Sequence, residues 1–173
     1  MSLEKFESLY EKFLQIILFV MMIALAIVVL AGVTFRFSGH ALVWYDEVAS
    51  VQLAWITYYG SAYAALKGSH IGVPSILKAF PLPLRKVFFI LSKIVVYGFL
   101  ILLAYYGFLV LTLIKGETLV TLEWVPQTFV QSVIPIGSVL FIIAETIRIP
   151  KDYKQNVLQI KDETDREELI WLS

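Results

Sequence analysis

At 173 residues the chain has the length of one soluble domain, yet 59% of its residues are hydrophobic and only 16% charged, against roughly 45–50% and about 25% in average globular proteins. With a mean hydropathy of +0.79, so much apolar surface does not fit inside one water-facing core of this size, and lipid must solvate much of it. There is no cysteine, which excludes disulfides, thiolate metal sites, iron–sulfur clusters and cysteine nucleophiles; two histidines, His40 and His70, are too few for a haem, and 14 basic against 14 acidic residues give no footprint for nucleic acid.

The first element is a run of 23 uncharged residues from Phe13 to Phe35, long enough for a transmembrane helix. The residues before it mix Lys5 and Lys12 with Glu4, Glu7 and Glu11. They read as an amphipathic cytoplasmic segment over 1–12, not as the basic cap of a cleaved signal. A second apolar segment covers 43–66 and ends at Lys67-Gly68. Between 68 and 86, Ile71, Val73, Ile76, Leu77 and Phe80 alternate with polar residues after Pro74, which predicts a short interfacial helix. The third span, 87–114, holds 28 residues; it would rise ~42 Å against a hydrocarbon core of ~30 Å, so it should tilt or protrude. The fourth covers 128–147. The tail from 150 to 173 is polar and densely charged. The expected fold is therefore an all-α membrane protein with four transmembrane helices in a membrane domain over 13–149.

Basic residues orient such spans, because lysine and arginine stay on the cytoplasmic side of short loops. With the N-terminus inside, eleven basic residues fall inside and two, Arg36 and Lys115, outside. Lys93, a turn or two into the third span, is expected to snorkel to the inner face. Both termini should face the cytoplasm. Trp44, Tyr45 and Trp124 then sit at outer ends, where amphipathic rings favour the headgroup layer.

Charged groups near lipid cost a few kcal/mol each unless paired or hydrated. Arg36 ends the first span, and Asp46 and Glu47 open the second, where acidic residues suit a helix N-terminus. Two readings stay open: an ion pair of Arg36 with Asp46 or Glu47 that fixes the outer hairpin, or three separately hydrated charges. Asp46, Ser50, Ala54, Thr57, Ser61 and Ala64 form a small-residue stripe on the second helix, which predicts close packing against another helix; a substrate path is the sharper alternative. Pro135 and Gly137 predict a local kink in the fourth helix. Glu145 and Arg148 are expected to pair at the inner boundary. No span carries the mid-membrane carboxylate or histidine that a proton relay needs, and no catalytic triad or nucleotide loop is present. The residues give an enzyme nothing to work with.

Val33-Thr-Phe-Arg36-Phe followed by Leu42-Val-Trp44-Tyr-Asp46-Glu47 resembles the small, Q-type membrane subunit of tripartite ATP-independent periplasmic (TRAP) transporters. Gly60-Ser-Ala-Tyr-Ala-Ala65, the turn Lys67-Gly68-Ser69-His70-Ile71 and Val133-Ile-Pro135-Ile-Gly137 continue the pattern in order, over about residues 30 to 140. Tyr45-Asp46 stands where that family usually has Ser-Glu, and Pro74 where an aspartate commonly follows the turn. The resemblance implies a bacterial inner-membrane importer of organic acids, with some leaning to the sialic-acid branch. In such an importer a periplasmic binding protein delivers substrate to a large, sodium-driven, elevator-type subunit. This chain would then brace the large subunit and help dock the binding protein, with Arg36, Trp44 and Glu47 stabilising the outer hairpin and Lys115, Glu117 and Glu123 near the docking surface. No cofactor is expected in the chain itself; sodium belongs to the large partner, and membrane lipids, including a bound phospholipid, are the expected small-molecule company. A self-contained oligomeric four-helix transporter, a membrane redox subunit and an assembly or anchor protein are the rival readings. The first lacks a carboxylate in the first span, and the second lacks its ligands.

Overall fold

The computed structural model describes residues 3–68 and 81–156. The expected interfacial helix, with His70, and the tail beyond 156 lie outside the described residues. Helix α1 runs Leu3–Phe37, α2 Tyr45–Lys67, α3 Leu82–Leu113, the short α4 Gln127–Gln131 and α5 Val133–Asn156. Among the described residues there is no strand, only a single bridge between Thr118 and Pro126 in the α3–α4 loop.

Local chemistry sets these bounds. α1 merges the amphipathic start and the first apolar run into one helix of 35 residues, because neither part contains a helix breaker. It ends where Gly39 turns to φ 77°. α2 begins after Trp44 with Asp46 and Glu47 in its first turn and stops at Gly68, whose φ of 69° is the left-handed cap that glycine supplies at least cost. α3 opens with Pro81 extended and Pro83 in the first turn, where a missing backbone N–H costs nothing.

The fourth segment departs from expectation twice. Its break falls at Ser132, between α4 and α5, and not within Ile-Pro-Ile-Gly. Pro135 explains this: it has no N–H to give to the carbonyl four residues earlier, which belongs to Gln131, the last residue of α4. At its other end α5 does not stop near 147 but continues through Pro150 to Asn156. Side-chain ties around Lys151 and Asp152, described below, hold those extra turns.

Three stretches among the described residues are long and apolar enough to cross a membrane: Lys5–Phe37, Leu82–Leu113 and Gln127–Lys154. α2, of 23 residues, is long enough at ~1.5 Å per residue but less apolar. It also has a long helix packed on each side. α2 packs extensively on α1 and on α5, and α5 on α3. The helices thus stand side by side in the order α1–α2–α5–α3, with α1 and α3 at the edges.

The shared core is small. Leu14, Tyr59, Ala62 and Val133 form one buried cluster and Ala65, Leu66 and Ala144 another, all at the seams of α2. Most of the outward surface of α1 and α3 is exposed leucine, isoleucine, valine and phenylalanine. The small-residue stripe of α2 is not the packing surface expected: Ser50, Ala54 and Thr57 are exposed, and their neighbours in the seams are Tyr59, Ala62, Ala65 and Leu66. Ser50 and Thr57 satisfy their hydroxyls on Asp46 O and Leu53 O of their own helix at 2.8 Å each.

Candidate functional site

Close backbone approaches fix the row. A Cβ on Gly137 of α5 would lie 2.8 Å from Cβ of Tyr58 on α2, and one on Gly107 of α3 would lie 2.9 Å from Ile134 Cγ2. Gly137 is therefore a packing residue that admits the Tyr58 ring. Tyr45, one of the two departures from the familiar motif, sits against Gly32 of α1, in space that any Cβ there would take.

At the outer end Glu47 does not pair with Arg36. Its carboxylate accepts from the backbone N–H of Val120 at 2.9 Å and of Thr121 at 2.8 Å, and the Thr121 hydroxyl donates to Glu47 Oε2 as well. Two aligned backbone donors suit a carboxylate better than a flexible, exposed guanidinium does, because charge-assisted bonds to a fixed fork lose less side-chain freedom. Arg36 and Asp46 are exposed, and among the described residues neither forms a salt bridge with the other. The loop that Glu47 grips is a tight hairpin, with Leu119 N donating to Val125 O at 3.0 Å and Gln127 N to Glu117 O at 2.9 Å. Lys115, Glu117 and Glu123 all lie on it, exposed.

Beneath that hairpin is an apolar cavity of about 410 Å³, lined by Trp44, Val48, Gln52, Leu119, Trp124 and Phe129 among others. Trp44 thus does more than anchor a helix end; it forms one wall. The amide oxygen of Gln52 is buried in this wall without a hydrogen-bond partner. About one helical turn deeper in the same seam, Trp55 donates to Val130 O at 3.1 Å and tilts against Phe129.

The inner end is tied by charge. The Lys93 ammonium lies 2.7 Å from both Glu145 and Asp152, so α3 is clamped to α5. Glu145 is buried, and its partner is Lys93 and not Arg148. Arg148 instead donates to Asp152 at 3.0 Å, with its Nη1 3.5 Å from Leu66 O. Its guanidinium fills the space beside Gly68 that a Cβ would need, a second reason for glycine at this turn. Lys151 pairs with Glu7 of α1 at 2.7 Å and Lys67 with Glu11 at 2.5 Å. The hydrogen bond that Lys67 donates to Glu11 raises its pKa above the ordinary lysine value. A raised base contributes at all pH values below its unfolded pKa and is lost only as pH rises through the folded one, so this tie is fully formed at neutral pH. Tyr10 donates to Leu140 O at 2.6 Å, bridging α1 to α5.

The Lys93–Glu145–Asp152 cluster escaped the sequence reading. Its only signal was a lysine set inside an otherwise uncharged span, with acids 52 and 59 positions away. Among the described residues no group of histidine, cysteine or carboxylate side chains is placed to hold a metal. The arrangement is thus two braced ends joined by an apolar row.

The family described as tripartite ATP-independent periplasmic transporters, DctQ component, matches residues 25–154. The chain belongs to that family. The match covers α2, α3, α4, the last third of α1 and most of α5; Glu47 and the Lys93 cluster fall within it, and Glu7, Tyr10 and Glu11 precede it. DctQ proteins are components of transporters, and the long apolar helices seen here suit a membrane component. No curated protein matches this sequence.

Proposed function

We propose that this DctQ component is a four-span, inner-membrane subunit with both termini in the cytoplasm. In this reading it braces the large transport subunit of a sodium-coupled, binding-protein-dependent importer of organic acids. α2 is the fourth span. It is less apolar than the others because its neighbours α1 and α5 cover part of it. The observation that carries the reading is the open row of helices in a DctQ component: its broad faces and edges are apolar, and nothing among the described residues covers both sides. A bracing subunit needs such a surface; a self-contained carrier needs an enclosed polar path.

The outer hairpin over 115–126 is the surface offered to the periplasmic binding protein. Glu47 supports this by gripping the hairpin from α2, which leaves Lys115, Glu117 and Glu123 presented on a fixed loop. Reconstitution tests the proposal. Vesicles holding the large subunit alone should lose binding-protein-dependent uptake, and adding this chain should restore it; vesicles holding only this chain should accumulate nothing. Accumulation by this chain alone, or full uptake without it, would refute the bracing role.

A further inference from the structure

The first three turns of α1 separate their charges by face. Glu7 and Glu11 point into the row and are paired with Lys151 and Lys67, on the side that also carries Tyr10 and the fully buried Leu14. Lys5 and Lys12 are on the opposite side. Both are exposed, and among the described residues neither makes an ion pair or hydrogen bond. With Ser8 and Leu9 they line one shallow cleft. Residues seven apart lie on the same helix face, ~10.5 Å along the axis, and lysine side chains are flexible four-carbon stems. Two such ammonium groups can converge on one anion above Ser8, whose hydroxyl adds a donor.

The surface beyond the cleft says what kind of anion. Leu9, Ile16, Phe19, Val20, Ile23 and Ile27 continue the same face of α1 as an exposed apolar track. A headgroup-sized basic cleft feeding an apolar groove has the layout of a phospholipid: phosphate at the top, acyl chains along the helix. Basic clusters beside the inner ends of spans attract anionic lipid in this way. We propose that Lys5, Ser8 and Lys12 form a binding site for the phosphodiester of an anionic phospholipid in the cytoplasmic leaflet, with its acyl chains on Leu9, Ile16 and Val20. This rests on the reading of α1 as a span with its N-terminus at the inner face.

The test uses the purified full chain in micelles doped with equal phosphatidylglycerol and phosphatidylcholine, with retained lipid counted by native mass spectrometry. Two lysines at the surface should give roughly a thirtyfold preference for phosphatidylglycerol, weakening with salt. Lys5→Gln with Lys12→Gln should reduce the preference to about twofold, Lys5→Arg with Lys12→Arg should keep it, and Lys86→Gln should leave it unchanged. A loss with Lys86→Gln as large as with the pair, or no preference in the native chain, would overturn the site. Displacement of the lipid by excess inorganic phosphate would also overturn it, because it would show a site for the free anion with no use of the acyl track. Alkaline extraction of native membranes separates this from the spanning reading. A chain that stays in the membrane but shows no lipid preference defeats the site alone, whereas release into the supernatant defeats the span itself.

Discussion

Glu47 shows how one side chain can organise an end of the molecule. Its carboxylate satisfies two backbone donors of an exposed loop 73 and 74 residues away, and replacing it with alanine returns those amides to water. Such a bond contributes about 1 kcal/mol net, so Glu47→Ala should speed hydrogen exchange at Val120 and Thr121 roughly fivefold while the helical amides are unchanged. Equal exchange in both proteins would show that the hairpin holds itself. Gln52 makes the opposite case. Its buried amide oxygen has no partner beside an apolar cavity, and leucine has nearly its shape. Gln52→Leu should therefore stabilise the detergent-solubilised chain by about 1 kcal/mol, seen as a higher melting temperature. A lower one would mean that the amide is engaged in the assembled protein's fold.

At the scale of elements, the Lys93 cluster decides how α3 is held. Removing one member of a buried ion pair strands the other, at a cost of about 3–5 kcal/mol, whereas replacing both by apolar groups is often neutral. Lys93→Met should sharply destabilise the chain, and adding Glu145→Leu should recover most of the loss, since Asp152 keeps Arg148. Additive losses in the double variant would count against a shared cluster. How much of this was legible in sequence follows from the range of each interaction. Helix positions were, because a run such as Ile16–Ala31 is local. The neighbours were not, because Tyr58 meets Gly137 and Glu47 meets Thr121 across more than 70 residues of chain. Arg36 was an intelligible but mistaken partner for Glu47: attraction between charges is visible in a sequence, while a pair of backbone N–H groups is not. The exposed stripe on α2 misled for a related reason. Small residues report that something can approach, and among the described residues nothing covers Ser50, Ala54 and Thr57.

At the scale of the whole molecule, the proposed docking role of the hairpin that carries Lys115, Glu117 and Glu123 can be tested apart from the packing of the helices. Reversing charge at Lys115, Glu117 and Glu123 together should raise the binding-protein concentration needed for half-maximal uptake several-fold, as expected for rim charges that steer association, without loss of the large subunit on purification. Unchanged uptake at limiting binding protein would move the docking surface elsewhere. The two tied ends make this separation feasible, since the three side chains lie outside every ion pair described for the bundle.

The order of helices in space also sets an order in time. α5 is made last, yet it stands between the α1–α2 hairpin and α3, which share no extensive contact of their own. During synthesis the lysine of α3 is without its two carboxylates until α5 has been made. Docking of α3 onto the α1–α2 pair is thus gated by α5, and a chain stalled before residue 133 would hold the two parts together only through the covalent link between α2 and α3.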